Sequence, residues 1–180
     1  SGERFTTQPG GGGETIPPPP VHVSDSMQSP RSLPRLSAAS IAVGVAALLA
    51  YAGTLAFDFV WDDTLLIQRS HQLHHWKDLW AALPSHFWAE VQERSHYYRP
   101  VVTASFFVDL RIWGLNPLGF HLTNVLAHLA TSLAVLALAR RLTGSEVASG
   151  ATGLLFALHP IHTESAAFVS GRTDILAALG

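Results

Sequence analysis

Two clusters in this chain carry residue types and spacings that could do chemistry. The first is Phe59-Val60-Trp61-Asp62-Asp63, at the end of a long apolar run. Adjacent carboxylates at such a boundary are electrostatically costly, and a general base for a hydroxyl group would suit the arrangement. Helix capping or a solvated loop pair is the structural alternative, since Asp commonly caps helices. The second cluster is His159-Pro160-Ile161-His162-Thr163-Glu164, with Arg172 and Asp174 following. Imidazole and carboxylate at this spacing suit a divalent metal such as zinc or manganese. The same groups could equally hydrogen-bond a phosphate, with Arg172 supplying a forked guanidinium. Interfacial capping and an Arg172–Asp174 salt bridge is the structural alternative.

Other polar residues are weaker candidates. Arg99, after Tyr97 and Tyr98 and before Pro100, could hold a phosphate or pair with an acidic side chain; Asp109 and Arg111 lie downstream. His121, Asn124 and His128 fall on one helical face of an apolar segment, where polar side chains usually hydrogen-bond between helices. His71, His74, His75, His86 and His96 receive no role.

The elements that position these clusters follow from the apolar pattern. Residues 37–57 contain no charge, and at about 1.5 Å per residue they extend roughly 30 Å, the depth of a bilayer core. A cleaved signal peptide is the rival reading, because Ala50-Tyr51-Ala52 resembles a cleavage site, but the run continues past it. A second span is expected over 121–139, ending at Arg140 and Arg141, and a third over 147–169, kinked or broken at Pro160. A fourth begins near 175. Arg31 and Arg35 precede the first span, so the positive-inside rule places both arginine pairs in the cytoplasm. Residues 58–120 then form an outer loop, and Asp62, Asp63 and the histidine cluster share one membrane face. All five tryptophans lie in that loop, and Trp76, Leu79, Trp80 and Leu83 have the spacing of an amphipathic helix on the membrane surface or against neighbouring spans.

Composition agrees with a membrane protein. Only 13% of the 180 residues are charged, against about 25% in soluble domains. The net charge of -2 and the lack of a basic face argue against nucleic acid as a partner. With no cysteine, disulfide scaffolds and thiol catalysis are excluded. Residues 1–36, rich in Gly, Pro and Ser, are expected to be a disordered tail. The chain begins with Ser1, has its one methionine at Met27 and stops within an apolar helix, so it reads as an N-terminal fragment, with Met27 a candidate start. The predicted fold class is an all-α membrane protein, a truncated multi-span helical bundle with a disordered N-terminal tail.

The segments FVWDD, YRPVVTASFFVDLRIWGLNPLGFHLTNVLAHL and LLFALHPIHTESAAFVSGRTDILAAL, in this order, resemble the membrane half of the transmembrane-and-tetratricopeptide-repeat proteins and their bacterial relatives. These belong to the GT-C class of polytopic glycosyltransferases. The resemblance runs from about Phe57 to the end; the first span matches only in apolar character, and the tail does not match. It implies a transferase that passes a sugar from a polyprenyl-phosphate-linked donor to a hydroxyl acceptor, often Ser or Thr of a protein, on the non-cytoplasmic face. The acidic pair carries over to Asp62 and Asp63, with Asp62 the expected base. Arg172, His159 and His162, and more weakly Arg99, would face the donor phosphate, supported by Glu164 and Asp174. The implied partners are a lipid-linked sugar donor, the membrane and a protein acceptor. No metal ligand is assigned, and a divalent ion is not required by the sequence. The implied location is a bacterial inner membrane with an outward-facing site, or the endoplasmic reticulum in a eukaryote. The family's roughly 34-residue repeats appear nowhere in this chain. The rival functions are a non-enzymatic anchor for a repeat scaffold, and a metal-dependent hydrolase or transporter.

Overall fold

A computed structural model describes residues 2, 37–70, 75–85 and 98–179. The expected tail, apart from Gly2, lies outside the described residues, as do His71, His74, His86, Phe87, Trp88, His96 and Tyr97. Among the described residues, every regular element is a helix.

Three helices make one bundle: α1 (Ala38–Tyr51), α4 (Pro117–Thr143) and α5 (Glu146–Leu158). Ser37 starts α1 by accepting the Ser40 N–H on Oγ at 3.2 Å, and a tighter turn, Ala52–Ala56, prolongs it. Asn116 caps α4 and Pro117 occupies its first turn, where a missing N–H costs nothing. Gly144, with φ of 65°, ends it in the left-handed conformation that glycine adopts freely. Ser145 then caps α5 by accepting the Ala148 N–H at 3.2 Å.

The segment Ala38–Ala56 and helix α4 are each long and apolar enough to cross a membrane. Ile41, Val45, Leu48 and Leu49 on α1 are exposed, as suits a face turned to lipid. Helix α5 has 13 residues, about 20 Å of rise. It stops at Leu158, so the stretch 147–169, expected to be kinked or broken at Pro160, is broken there. Pro160 lacks the N–H that would continue the helix, and His159 before it is extended (φ -68°, ψ 128°).

Small residues set the spacing within the bundle. A Cβ on Gly150 would lie 3.2 Å from the Ala39 Cβ, and one on Gly153 would lie 2.9 Å from Val43 Cγ2. At one end, Arg140 donates from Nη2 to Ser37 Oγ and to Glu146 Oε1, both at 2.6 Å. That contact joins the start of α1, the end of α4 and the start of α5. The opposite end therefore carries residues 56–62, the start of α4 and the segment that follows Leu158.

The segment 58–120 is more than a loop. It contains α2 (Trp76–Ala82) and α3 (Pro100–Trp113), because Phe59, Ile67, Phe106 and Phe107 require burial and find it with Phe120 and Val169. Leu79 packs against this core, while Trp80 on the same short helix is exposed, so the expected aromatic face of α2 is divided. Helix α4 begins at Pro117 rather than 121, so His121, Asn124 and His128 are all internal to it. Beyond Leu158 come a tight turn (Pro160–His162), α6 (Thr163–Ala167), another turn (Ser170–Arg172) and α7, which starts at Thr173 rather than near 175.

Candidate functional site

The end of the first span and the segment after α5 meet at a cavity of about 710 Å³. Trp61 and Asp62 contribute from the first, and Arg99 from the start of α3. Thr163, Glu164, Phe168, Ser170, Gly171, Thr173 and Asp174 contribute from the second. Asp62, Glu164 and Asp174 are exposed to it, and Arg99 is half-buried. The cavity thus has an acidic rim with an arginine in its wall.

Backbone geometry shapes this mouth. Trp61 has φ of 46°, a left-handed conformation that costs a non-glycine residue of order 1–3 kcal/mol. Its indole is exposed and lies 6.1 Å from the Phe168 ring. The next two carboxylates diverge. Asp62 faces the cavity, whereas Asp63 is fully buried and accepts the Ser170 N–H on Oδ1 at 2.8 Å. The two carboxylates expected to act as a pair therefore differ: Asp62 is open to the cavity, while Asp63 is closed off and bound to the backbone. It fastens the end of the first span to the Ser170–Arg172 turn.

Each residue of Gly171-Arg172-Thr173-Asp174 has a distinct local task. A Cβ on Gly171 would lie 2.7 Å from the Glu164 carbonyl oxygen, so only glycine permits this approach. Thr173 Oγ1 accepts from Arg99 Nη1 at 3.1 Å, and Asp174 Oδ2 accepts from Ser165 Oγ at 3.2 Å. Arg172 turns away from the cavity. It is 1% exposed, donating from Nη1 to Asp109 at 2.6 Å and Ser105 at 3.0 Å, and from Nη2 to the Phe120 carbonyl at 3.3 Å. The Phe106 ring lies 4.8 Å from its guanidinium carbon. Arg172 does not line this cavity, and its partner is Asp109 rather than the Asp174 of the expected salt bridge, because burial demands that its charge be matched inside the fold. Burial raises the Asp109 pKa, opposed first by the Arg172 charge, and lowers that of Arg172, opposed by Asp109. In both groups desolvation is the largest influence, as is common for interior ion pairs.

The two histidines expected on the donor phosphate are also turned elsewhere. His159 is exposed, and its Nδ1 accepts the Ile161 N–H at 3.2 Å, capping the turn after α5. His162 packs 4.2 Å from the Phe156 ring and 5.4 Å from His128. Neither lines the acidic cavity. Among the described residues, no three His, Asp or Glu side chains group as metal ligands.

On the polar face of α4, Asn124 and His128 tie the helix to neighbouring segments. Asn124 donates to the Phe168 carbonyl at 2.6 Å, and His128 donates from Nε2 to the Ala157 carbonyl at 3.1 Å. Sequence reasoning did not identify Asp109 as the partner of Arg172, or Thr123, whose hydroxyl donates to Asp109 at 2.7 Å. The available signal was a carboxylate set among Phe106, Phe107, Val108 and Leu110, where a charge needs a partner.

No family model matches the chain, and no solved structure matches it. The protein O-mannosyl-transferase TMTC2 of mouse is 38% identical over 141 residues, 73% of this chain and 16% of the relative; the human TMTC2 protein matches to the same extent. Human protein O-mannosyl-transferase TMTC1 is 32% identical over 179 residues, 97% of this chain and 19% of the relative. The chain therefore spans about a sixth of the length of the curated relatives it matches. Over most of its own length it is homologous to the TMTC protein O-mannosyl-transferases, the transmembrane-and-tetratricopeptide-repeat proteins whose motifs it carries.

Proposed function

We propose that this chain forms part of an inverting GT-C-type glycosyltransferase embedded in a membrane by several spans. The donor is a polyprenyl-phosphate-linked sugar, mannose by analogy with the relatives' names, and the acceptor is a Ser or Thr hydroxyl of a protein on the non-cytoplasmic face. The observation that carries this reading is the shared cavity. Asp62 and Arg99 line one space at the end of the first span, with the first cluster brought against the second. A lipid-borne donor reaches its enzyme from within the bilayer, so a site at the end of a span is where its headgroup would arrive.

In this reading Asp62 accepts the proton of the acceptor hydroxyl as the oxygen attacks the anomeric carbon. The bond from that carbon to the phosphate oxygen breaks, and the departing phosphate takes the bonding electrons. Arg99, held by Thr173, offers positive charge for that phosphate. Asp63 and Arg172 keep the walls in place without touching substrate.

Replacing Asp62→Asn in the full-length protein is expected to lower sugar transfer by about 10²–10⁴-fold, as for loss of a general base. Membrane insertion, followed by protease protection, should be unchanged. Transfer at the wild-type rate would remove Asp62 from the role.

A further inference from the structure

Arg172 sits in sequence between two residues of the acidic cavity, Gly171 and Thr173, yet its own side chain is buried in the interior. Its Nη1 donates to Ser105 and Asp109 of α3, and its Nη2 donates to the Phe120 carbonyl of α4. Ser105 and Asp109 are one helical turn apart and so lie on one face of α3. Both Asp109 oxygens are engaged: Oδ2 accepts from Arg172, and Oδ1 accepts from the Thr123 hydroxyl of α4. One guanidinium thus joins α3, α4 and the Ser170–Arg172 turn.

Arg99 stands at the start of the same helix α3, and its Nη1 donates to Thr173 Oγ1 at 3.1 Å in the cavity wall. Helix α3 is therefore tied twice to neighbouring residues, Arg172 in the interior and Thr173 at the cavity. Gly171 leaves little room to absorb a shift, since a Cβ there would already lie 2.7 Å from the Glu164 carbonyl oxygen. Where Arg172 is held on α3 decides where Thr173 meets Arg99.

Stability alone does not account for the buried pair. Apolar side chains of similar volume commonly replace an interior ion pair without loss of stability. Such a replacement here would strand neither hydroxyl, because Ser105 also donates to the Val102 carbonyl and Thr123 to the Gly119 carbonyl. What apolar side chains would not supply is a fixed direction between α3 and the turn.

We propose that Arg172, paired with Asp109, is a positioning residue that sets the place of the Arg99 guanidinium in the acidic cavity. The inference rests on the reading of Arg99 as the cation for the donor phosphate.

The test is a cycle of variants in the full-length protein, read by sugar transfer, farnesyl phosphate binding and thermal unfolding. Arg172→Met combined with Asp109→Leu removes both charges and should unfold close to the parent temperature. Transfer and farnesyl phosphate binding should each fall by about ten- to a hundred-fold, as for a displaced binding group. With Arg99→Ala already present, the same two substitutions should lower neither any further. Equal losses in both backgrounds would mean that the pair only supports the fold, and would overturn the proposal. A folded double variant that transfers and binds like the parent overturns it too. If the double variant fails to fold, Arg172→Lys enters the same cycle and the same two outcomes decide. It keeps the charge, but its single amine lacks the planar fork that serves Ser105, Asp109 and Phe120 together. If Arg99→Ala alone binds farnesyl phosphate like the parent while Asp62→Asn abolishes transfer, the positioning role falls and the enzymatic reading stands. Binding that depends on Arg99 and Arg172 without additivity, but with no Asp62-dependent transfer, upholds the positioning role and overturns the enzymatic reading.

Discussion

The α1–α4–α5 bundle and the region around the acidic cavity are held together by different means. In the bundle, Gly150 and Gly153 let helices approach, and the Arg140–Glu146–Ser37 contact at one end is partly exposed. Around the cavity, the ties are buried and charged: Asp109 with Arg172, and Asp63 with the Ser170 N–H. Close apolar packing penalises added volume, whereas a buried ion pair penalises separation, because parting its members strands a charge in the interior. The second kind of bond would hold the proposed base, Asp62, and the proposed cation, Arg99, at set positions.

Substitutions can break this contrast, beginning with the largest effect. Removing the Arg172 side chain (Arg172→Ala) strands the Asp109 carboxylate and is expected to cost about 3–5 kcal/mol, the usual penalty for an orphaned interior charge. Thermal unfolding of the full-length protein in detergent would reveal it, and a loss below about 1 kcal/mol would mean the pair is dispensable. A paired glycine comparison sharpens the point. Gly171→Ala meets a backbone carbonyl that cannot yield and should destabilise by about 1–3 kcal/mol. Gly150→Ala meets only the Ala39 methyl and gains helix propensity, so its effect should stay within about 1 kcal/mol of zero. Equal losses at both positions would erase the distinction between the two regions. The smallest change is expected of Glu146→Gln, since its half-exposed pair with Arg140 contributes about 0–1 kcal/mol and should weaken with added salt.

Much of the helical plan was legible from hydropathy and punctuation. The charge-free run at 37–57 contains α1 with its Ala52–Ala56 extension, and Pro160 marks the break after α5. Of the residues 159–174 expected to meet Asp62 and Asp63, several from Thr163 onward contribute to the cavity that Asp62 lines, while His159, His162 and Asp63 do not line it. Side-chain direction was not legible. Asp62 and Asp63 are neighbours of one chemistry, and only the local backbone decides which is buried. Arg172 looked like an anion ligand because its charge is visible in sequence while Asp109, 63 residues away, is not visibly its partner. His159 and His162 misled for a similar reason: metal-like spacing says nothing of whether a ring caps a turn or packs on Phe156.

The backbone at Trp61 has a final consequence. Its handedness is one a residue without a side chain would take up easily, and the chain places its largest side chain there instead. Ease of folding and the form of the entrance pull in opposite directions at this one residue, and the indole beside Phe168 shows which of the two the protein keeps.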